Sequence, residues 1–176
     1  GVLYRNKNEL ILYPAGRPDS EYTVKDGIIT IGSYAFRNAK NLKKINFNEI
    51  TSMKENAFMG CTSLTEIRIS ENIKTIPSYC FSECTSLTYI EIPKSVTKIE
   101  DFAFFNCTSV QSVIIPSSVT DIGEGAFYGC DSLKKIAVDK KQTECSAWEN
   151  WSGAATVLYK KEETTTDRFR FPFGIG

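Results

Sequence analysis

The sequence contains no histidine in its 176 residues. That removes His-bearing zinc sites, Ser-His-Asp and Cys-His nucleophile systems, and the side chain best suited to proton transfer near neutral pH. It also lacks an excess of charge of either sign. Twenty-one basic residues balance 21 acidic ones, and no basic run breaks the balance, so no long-range field favours nucleic acid or an anionic membrane. Long apolar runs are absent too: no stretch approaches the roughly 18 to 20 residues needed to span a bilayer. Gly1 to Asn6 have neither the charged start nor the apolar block of a signal peptide. The chain begins at Gly1 without a methionine, as a processed or excised chain would, so the missing leader says little about location. There is no Gly-rich phosphate loop and no C-x-x-C pair of the kind zinc sites use.

What is present is a repeat. Hydrophobic residues make up 41% and aromatics 12% of the chain, enough for a continuous core. Phenylalanines recur at Phe36, Phe58, Phe81, Phe104 and Phe127, at spacings of 22, 23, 23 and 23. A small residue precedes each one (Ala35, Ala57, Cys80, Ala103, Ala126). Three residues after the last four stands a cysteine (Cys61, Cys84, Cys107, Cys130), with Ala39 in the first copy. Three further on comes Leu42, Leu64, Leu87, Val110 or Leu133, then an alternating apolar pair: Ile45/Phe47, Ile67/Ile69, Ile90/Ile92, Val113/Ile115 and Ile136/Val138.

The L-x-x-I-x-I run has the period of two of a strand with one buried face, so each copy predicts one strand. The small-Phe-x-x-Cys run spaces its apolar residues by three, which predicts a short helical or 3₁₀ turn with inward side chains. Short polar pairs such as Thr62-Ser63 and Thr85-Ser86 suit the passage from turn to strand. Pro93 and Pro116 end the strand pairing, and Val96/Ile99 and Val119/Ile122 close the coil. One coil cannot bury its own edge, whereas stacked coils share a core and a parallel sheet with a rung every ~4.8 Å.

The unit closely resembles the BspA-like leucine-rich repeat. Cys107-Thr-Ser-Val-Gln-Ser-Val-Ile-Ile-Pro116 followed by Ser-Ser-Val-Thr-Asp-Ile-Gly-Glu-Gly-Ala-Phe127 carries the likeness, which extends over about Ile28 to Val138. Gly1-Val-Leu-Tyr4 through Tyr13-Pro14-Ala-Gly16 resembles a β-hairpin often found in the family. The first two copies depart mildly, with Ala39 for cysteine and Met53-Lys54 for Ile-Gly. The resemblance implies a secreted or surface-displayed protein of host-associated anaerobic bacteria or some protists, used in attachment to proteins or other cells.

The expected architecture is a leucine-rich-repeat solenoid, with a parallel β-sheet on one face and short helical or 3₁₀ turns on the other. Residues 1–27 form an N-terminal hairpin or cap, 28–138 five repeats, 139–160 a C-terminal cap containing Cys145, Trp148 and Trp151, and 161–176 a tail, disordered, partner-binding or packed back on the rod, with Arg168-Phe-Arg-Phe-Pro-Phe173. The in-register cysteines are expected to be buried, reduced thiols. Rungs about 5 Å apart keep parallel Cβ atoms beyond the ~3.8 Å of a disulfide. Cys80 occupies the small position before Phe81, and its redox state, like that of Cys145, is left open. The carboxylates Glu91, Glu100, Asp101, Asp121 and Glu124 are expected on solvated faces, so no catalytic residue, metal site or cofactor is assigned. Two sequons, at Asn106 and Asn150, are taken as accidental.

Residues alternating with the buried apolar ones point outward and form columns across the rungs: Lys44, Glu66, Tyr89, Ser112, Lys135, and Asn46, Arg68, Glu91, Ile114, Ala137. Glu66, Arg68, Tyr89, Glu91 and an exposed Ile114 at the centre have the mixed aromatic, Arg and apolar character of interface cores, and form the candidate ligand-binding site. A merely solvated face, with cross-strand charge pairs such as Arg68 to Glu91, is the competing reading. The expected function is non-enzymatic binding of an extracellular protein or cell-surface ligand, with a passive spacer in a larger surface protein as the alternative and an enzyme third. Nucleic acid and a membrane span are not expected, and oligomeric state is open.

Overall fold

In the computed structural model, residues 1–139 and 156–159 are described. Two rows of short strands run along a solenoid. The first row contains β3 (Glu21–Thr23), β5 (Lys44–Asn46), β7 (Glu66–Arg68), β9 (Tyr89–Glu91), β11 (Ser112–Ile115) and β13 (Lys135–Val138). The second contains β2 (Glu9–Leu12), β4 (Thr30–Ile31), β6 (Ser52–Met53), β8 (Thr75–Ile76), β10 (Lys98–Ile99) and β12 (Asp121–Ile122). Ladders within each row are parallel and step by one turn, as in Glu66↔Tyr89↔Ser112↔Lys135. The regular hydrogen bonding lapses between β5 and β7 and between β6 and β8, so the rows divide into sheets of two and five strands and of four and three strands. Isolated bonds, such as Thr65 N to Lys43 O at 3.2 Å and Asn56 N to Ser78 O at 3.1 Å, bridge these gaps.

The alternation read in L-x-x-I-x-I is realised directly. Leu64, Ile67 and Ile69 are buried, while Glu66 and Arg68 are exposed. At the N-terminal end the expected hairpin forms: β1 (Leu3–Arg5) pairs antiparallel with β2. Asn6 and Lys7, at φ 49° and 60°, make the turn, and the Asn8 amide closes it on the Arg5 carbonyl at 3.2 Å. Two successive residues with positive φ match the right-handed twist of the flanking strands. β1 thereby covers the outer edge of β2.

At the other end, β14 (Thr156–Tyr159) lies parallel to β13, from Lys135↔Thr156 to Val138↔Tyr159. The end of the segment expected to cap the last rung thus adds one more strand to the same sheet. The remainder of 139–160, with Cys145, Trp148 and Trp151, lies outside the described residues apart from Asp139, as does the 161–176 tail.

The corner carrying small-Phe-x-x-Cys contains no helix among the described residues, contrary to the spacing-of-three expectation. Two residues in each corner adopt left-handed backbone: Tyr34 and Asn38, Asn56 and Gly60, Tyr79 and Glu83, Phe102 and Asn106, Gly125 and Gly129. A left-handed residue every fourth position cannot propagate a right-handed helix. The hydrogen bonding alternates as a result. Asn56, Phe58 and Gly60 donate to Ser78, Cys80 and Ser82 of the next turn at 3.1, 2.8 and 2.8 Å. The intervening amides of Ala57, Met59 and Cys61 donate three residues back, to Lys54, Asn56 and Phe58, at 3.3, 3.1 and 3.2 Å.

Inside this corner the phenylalanines form a stack. Centroids of Phe36, Phe58, Phe81, Phe104 and Phe127 are 4.9, 5.3, 5.3 and 5.2 Å apart, with planes within 13° of parallel. Tyr13 extends the stack onto Phe36 at 5.0 Å. Truncating one such buried ring costs about 3 to 5 kcal/mol, so this column is a principal source of rung-to-rung cohesion. The cysteines do more than fill space. Cys61, Cys84, Cys107 and Cys130 are free and buried, and each thiol donates to the carbonyl of the ladder Phe one turn earlier (Phe36, Phe58, Phe81, Phe104) at 3.0, 3.3, 3.0 and 3.2 Å. Cys80 is also free and buried.

Candidate functional site

The first row of strands sets the geometry of the candidate face. Because β7, β9 and β11 are parallel and in register, Glu66 lies opposite Tyr89, Arg68 opposite Glu91, and Glu91 opposite Ile114. The five sequence-selected residues therefore occupy three adjacent strands on one side of one sheet. Each is turned outward by a buried neighbour: Ile67 between Glu66 and Arg68, Ile90 between Tyr89 and Glu91, Val113 and Ile115 about Ile114.

Tyr89 is 41% exposed, which leaves the ring free for a partner while its base packs on the sheet. Partial burial, helped by the Glu91 carboxylate, pushes its phenol above the ordinary tyrosine value, so it remains a neutral donor and acceptor. Ile114 is half-buried rather than exposed, so it offers less apolar surface than the alternation alone suggests. Lys44 reaches Glu66 across the β5–β7 gap at 3.9 Å, with both side chains open to solvent. Such a pair is worth about 0 to 1 kcal/mol and is easily exchanged for a contact with another molecule. The five residues combine two carboxylates, a guanidinium, an aromatic ring and a methyl-rich side chain. This mixture offers hydrogen-bonding and stacking groups on one face.

Three of the other carboxylates singled out in the sequence have partners within the protein. Glu100 accepts from the Ser78 amide at 3.1 Å and meets Lys98 at 3.7 Å. Asp121 meets Lys98 at 3.5 Å, and Asp101 accepts from the Glu124 amide at 2.9 Å. No group of three or more metal-ligating side chains comes together among the described residues.

A second surface escaped the sequence reading. Tyr79, Phe102, Phe105 and Tyr128 project from the outside of the corner, over the buried phenylalanine stack. Their signal was available: in successive copies an aromatic stands two positions before the ladder Phe, one position after it, or both. Read as part of an inward-facing helical turn, these positions had no distinct direction.

The profile of the BspA type leucine rich repeat region matches residues 20–134 in six copies. Among solved structures, a leucine rich cell surface protein from Faecalibacterium prausnitzii A2-165 superimposes with a TM-score of 0.76 at 34% identity. That alignment covers 82% of this chain and 38% of the other, so this chain spans well under half the length of that relative. A leucine rich repeat protein of T. pallidum gives 0.74 at 23% identity, covering 91% and 79% of the two chains. One from Bacteroides ovatus ATCC 8483 gives 0.66 at 24%, covering 88% and 46%. The last two likenesses concern the fold alone. No curated protein matches the chain.

Proposed function

Because the chain belongs to the BspA type leucine-rich-repeat family, we propose that it is a non-enzymatic binding module of a secreted or surface-displayed bacterial protein. Its ligand is an extracellular protein or cell-surface molecule, engaged by Glu66, Arg68, Tyr89, Glu91 and Ile114. The observation that carries this reading is the register of β7, β9 and β11: buried positions repeat from rung to rung, while outward positions differ in chemistry at every rung. Packing requires the first and leaves the second free. The description of the F. prausnitzii relative as a cell surface protein supports the location.

The test is capture of extracellular host proteins by the immobilised chain, repeated with Arg68→Ala/Tyr89→Ala. Aromatic and arginine anchors are commonly worth more than 1 kcal/mol each, so the double variant is expected to weaken capture by about tenfold or more with an unchanged circular dichroism spectrum. Undiminished capture would remove the assignment of this face. A second reading, a passive spacer, is favoured by one observation: the chain corresponds to only 38% of the F. prausnitzii protein. Failure of the unmodified chain to capture anything would favour it.

A further inference from the structure

The outer aromatic strip on the corner is a continuous surface. Tyr79 and Phe102 stack with centroids 5.1 Å apart, Phe102 and Phe105 meet edge to face at 5.8 Å, and Phe105 and Tyr128 stack at 6.1 Å. Tyr79 and Tyr128 are 37% and 58% exposed and Phe102 and Phe105 between them are half-buried, so the strip opens to solvent most at its two ends. The core does not require it, because the buried phenylalanine column lies beneath. Two of the rings also stand on unfavourable backbone. Tyr79 and Phe102 have φ of 54° and 55°, in a column where Asn56 and Gly125 occupy the equivalent places. The corner imposes this backbone in every turn, so the sequence keeps bulky rings at Tyr79 and Phe102 where Asn or Gly would sit without strain. Gly125 contributes by its missing side chain: a Cβ there would run into the Phe102 ring.

The charged side chains within these corners, 78–83, 101–106 and 124–129, are all acidic: Glu83, Asp101 and Glu124, each exposed. The first corner differs. There Arg37 lies over the ring of Tyr34 at 5.5 Å, and Tyr34, at φ 58°, belongs to the same left-handed column as Tyr79 and Phe102. The fold thus displays, on its own first turn, the cation that such a ring accepts. The last three corners, 78–83, 101–106 and 124–129, present rings and carboxylates with no basic residue within them.

We propose that the strip formed by Tyr79, Phe102, Phe105 and Tyr128 binds an arginine-rich segment of a partner protein, with guanidinium groups stacked on the rings and paired with the flanking carboxylates. Planar guanidinium stacks on aromatic faces and forks onto carboxylates, whereas the ammonium of lysine is a strongly hydrated point charge. This surface is independent of the sheet face that contains Arg68 and Tyr89.

The probe is a nona-arginine peptide titrated into the full chain, followed by calorimetry and by the aromatic NMR resonances. Saturable binding is expected, several-fold tighter than for nona-lysine. Tyr79→Ala/Tyr128→Ala should weaken it by tenfold or more, and Glu83→Gln/Glu124→Gln, which retains every ring, by a smaller factor. Arg68→Ala/Tyr89→Ala should leave it unchanged, so failure here and failure of the sheet-face reading are separable. The proposal is overturned if nona-arginine does not bind, if it binds no better than nona-lysine, or if Tyr79→Ala/Tyr128→Ala binds undiminished. It is equally overturned if a neutral oligosaccharide such as chitohexaose moves the strip resonances and the peptide does not.

Discussion

At the scale of single residues, the cysteines decide how this protein responds to base. Burial pushes the thiols of Cys80, Cys84 and Cys107 well above the ordinary value. An unfolded thiol ionises near pH 8.5. Between that value and the raised folded ones, the unfolded chain releases protons that the folded chain retains, so stability is full below about pH 8.5 and declines as pH rises. Each unit costs up to about 1.4 kcal/mol for every thiol whose ionisation is fully suppressed by folding. Tyr22, also raised by burial and by the Tyr4 hydroxyl, acts in the same direction at higher pH. The urea midpoint is therefore expected to fall between pH 7.5 and 9.5. These three thiols should remain unlabelled by iodoacetamide in native buffer and react once urea is added. A midpoint that holds or rises over this interval would contradict the account. For the in-register Cys84 and Cys107 the reduced, buried state was legible in the rung spacing, whereas the sequence leaves the state of Cys80 open. The thiol-to-carbonyl bonds were not legible, because a spacing of 23 places each sulfur in the core without revealing which carbonyl it meets.

At the scale of elements, strands and corners differ in how openly the sequence declares them. A period of two leaves one arrangement for Leu64, Ile67 and Ile69, and the same alternation placed Glu66, Arg68, Tyr89 and Glu91 on one outward face. It overstated Ile114, since alternation gives direction and not accessibility. A period of three is ambiguous. It describes a 3₁₀ turn equally well as a corner whose amides alternate between the next turn and the residue three back. The distinguishing feature is the pair of left-handed residues. Only Asn38, Asn56, Asn106 and the glycines at 60, 125 and 129 are types that favour that backbone, whereas Tyr34, Tyr79, Glu83 and Phe102 conceal it. The corner geometry makes a paired prediction. Gly125→Ala introduces a Cβ at φ +59° against the Phe102 ring and is expected to destabilise by ~1 to 3 kcal/mol. Glu83→Gly, at φ 60°, removes a strained Cβ and is expected to leave stability unchanged or slightly raised. Chemical denaturation of both variants checks the pair, and an opposite order would mean that the left-handed columns are misplaced.

At the scale of the whole molecule, stability is a sum over neighbouring turns, and whole turns should be removable. Pro93-Lys-Ser-Val96 and Pro116-Ser-Ser-Val119 carry the same phrase one repeat apart. Deleting residues 94–116 joins Pro93 to Ser117 and places Val119 where Val96 stood. Phe81 then stacks on Phe127 in place of Phe104, and the Thr120 amide, which donates to Thr97 at 2.8 Å, finds the Lys74 carbonyl that Thr97 now uses at the same distance. The shortened chain is expected to unfold in a single cooperative transition at a lower Tm. Its urea m-value should fall by about an eighth, the fraction of the chain removed. Loss of cooperativity would show that the turns are not interchangeable. The same deletion separates the two surfaces. Glu66, Arg68, Tyr89 and Glu91 remain in register on β7 and β9, whereas the corner strip loses Phe102 and Phe105 from its middle. Capture through the sheet face should therefore largely survive, while affinity for nona-arginine should fall with the interrupted strip. A deletion that abolished both together would point to an end-to-end requirement of the solenoid rather than to two separate faces.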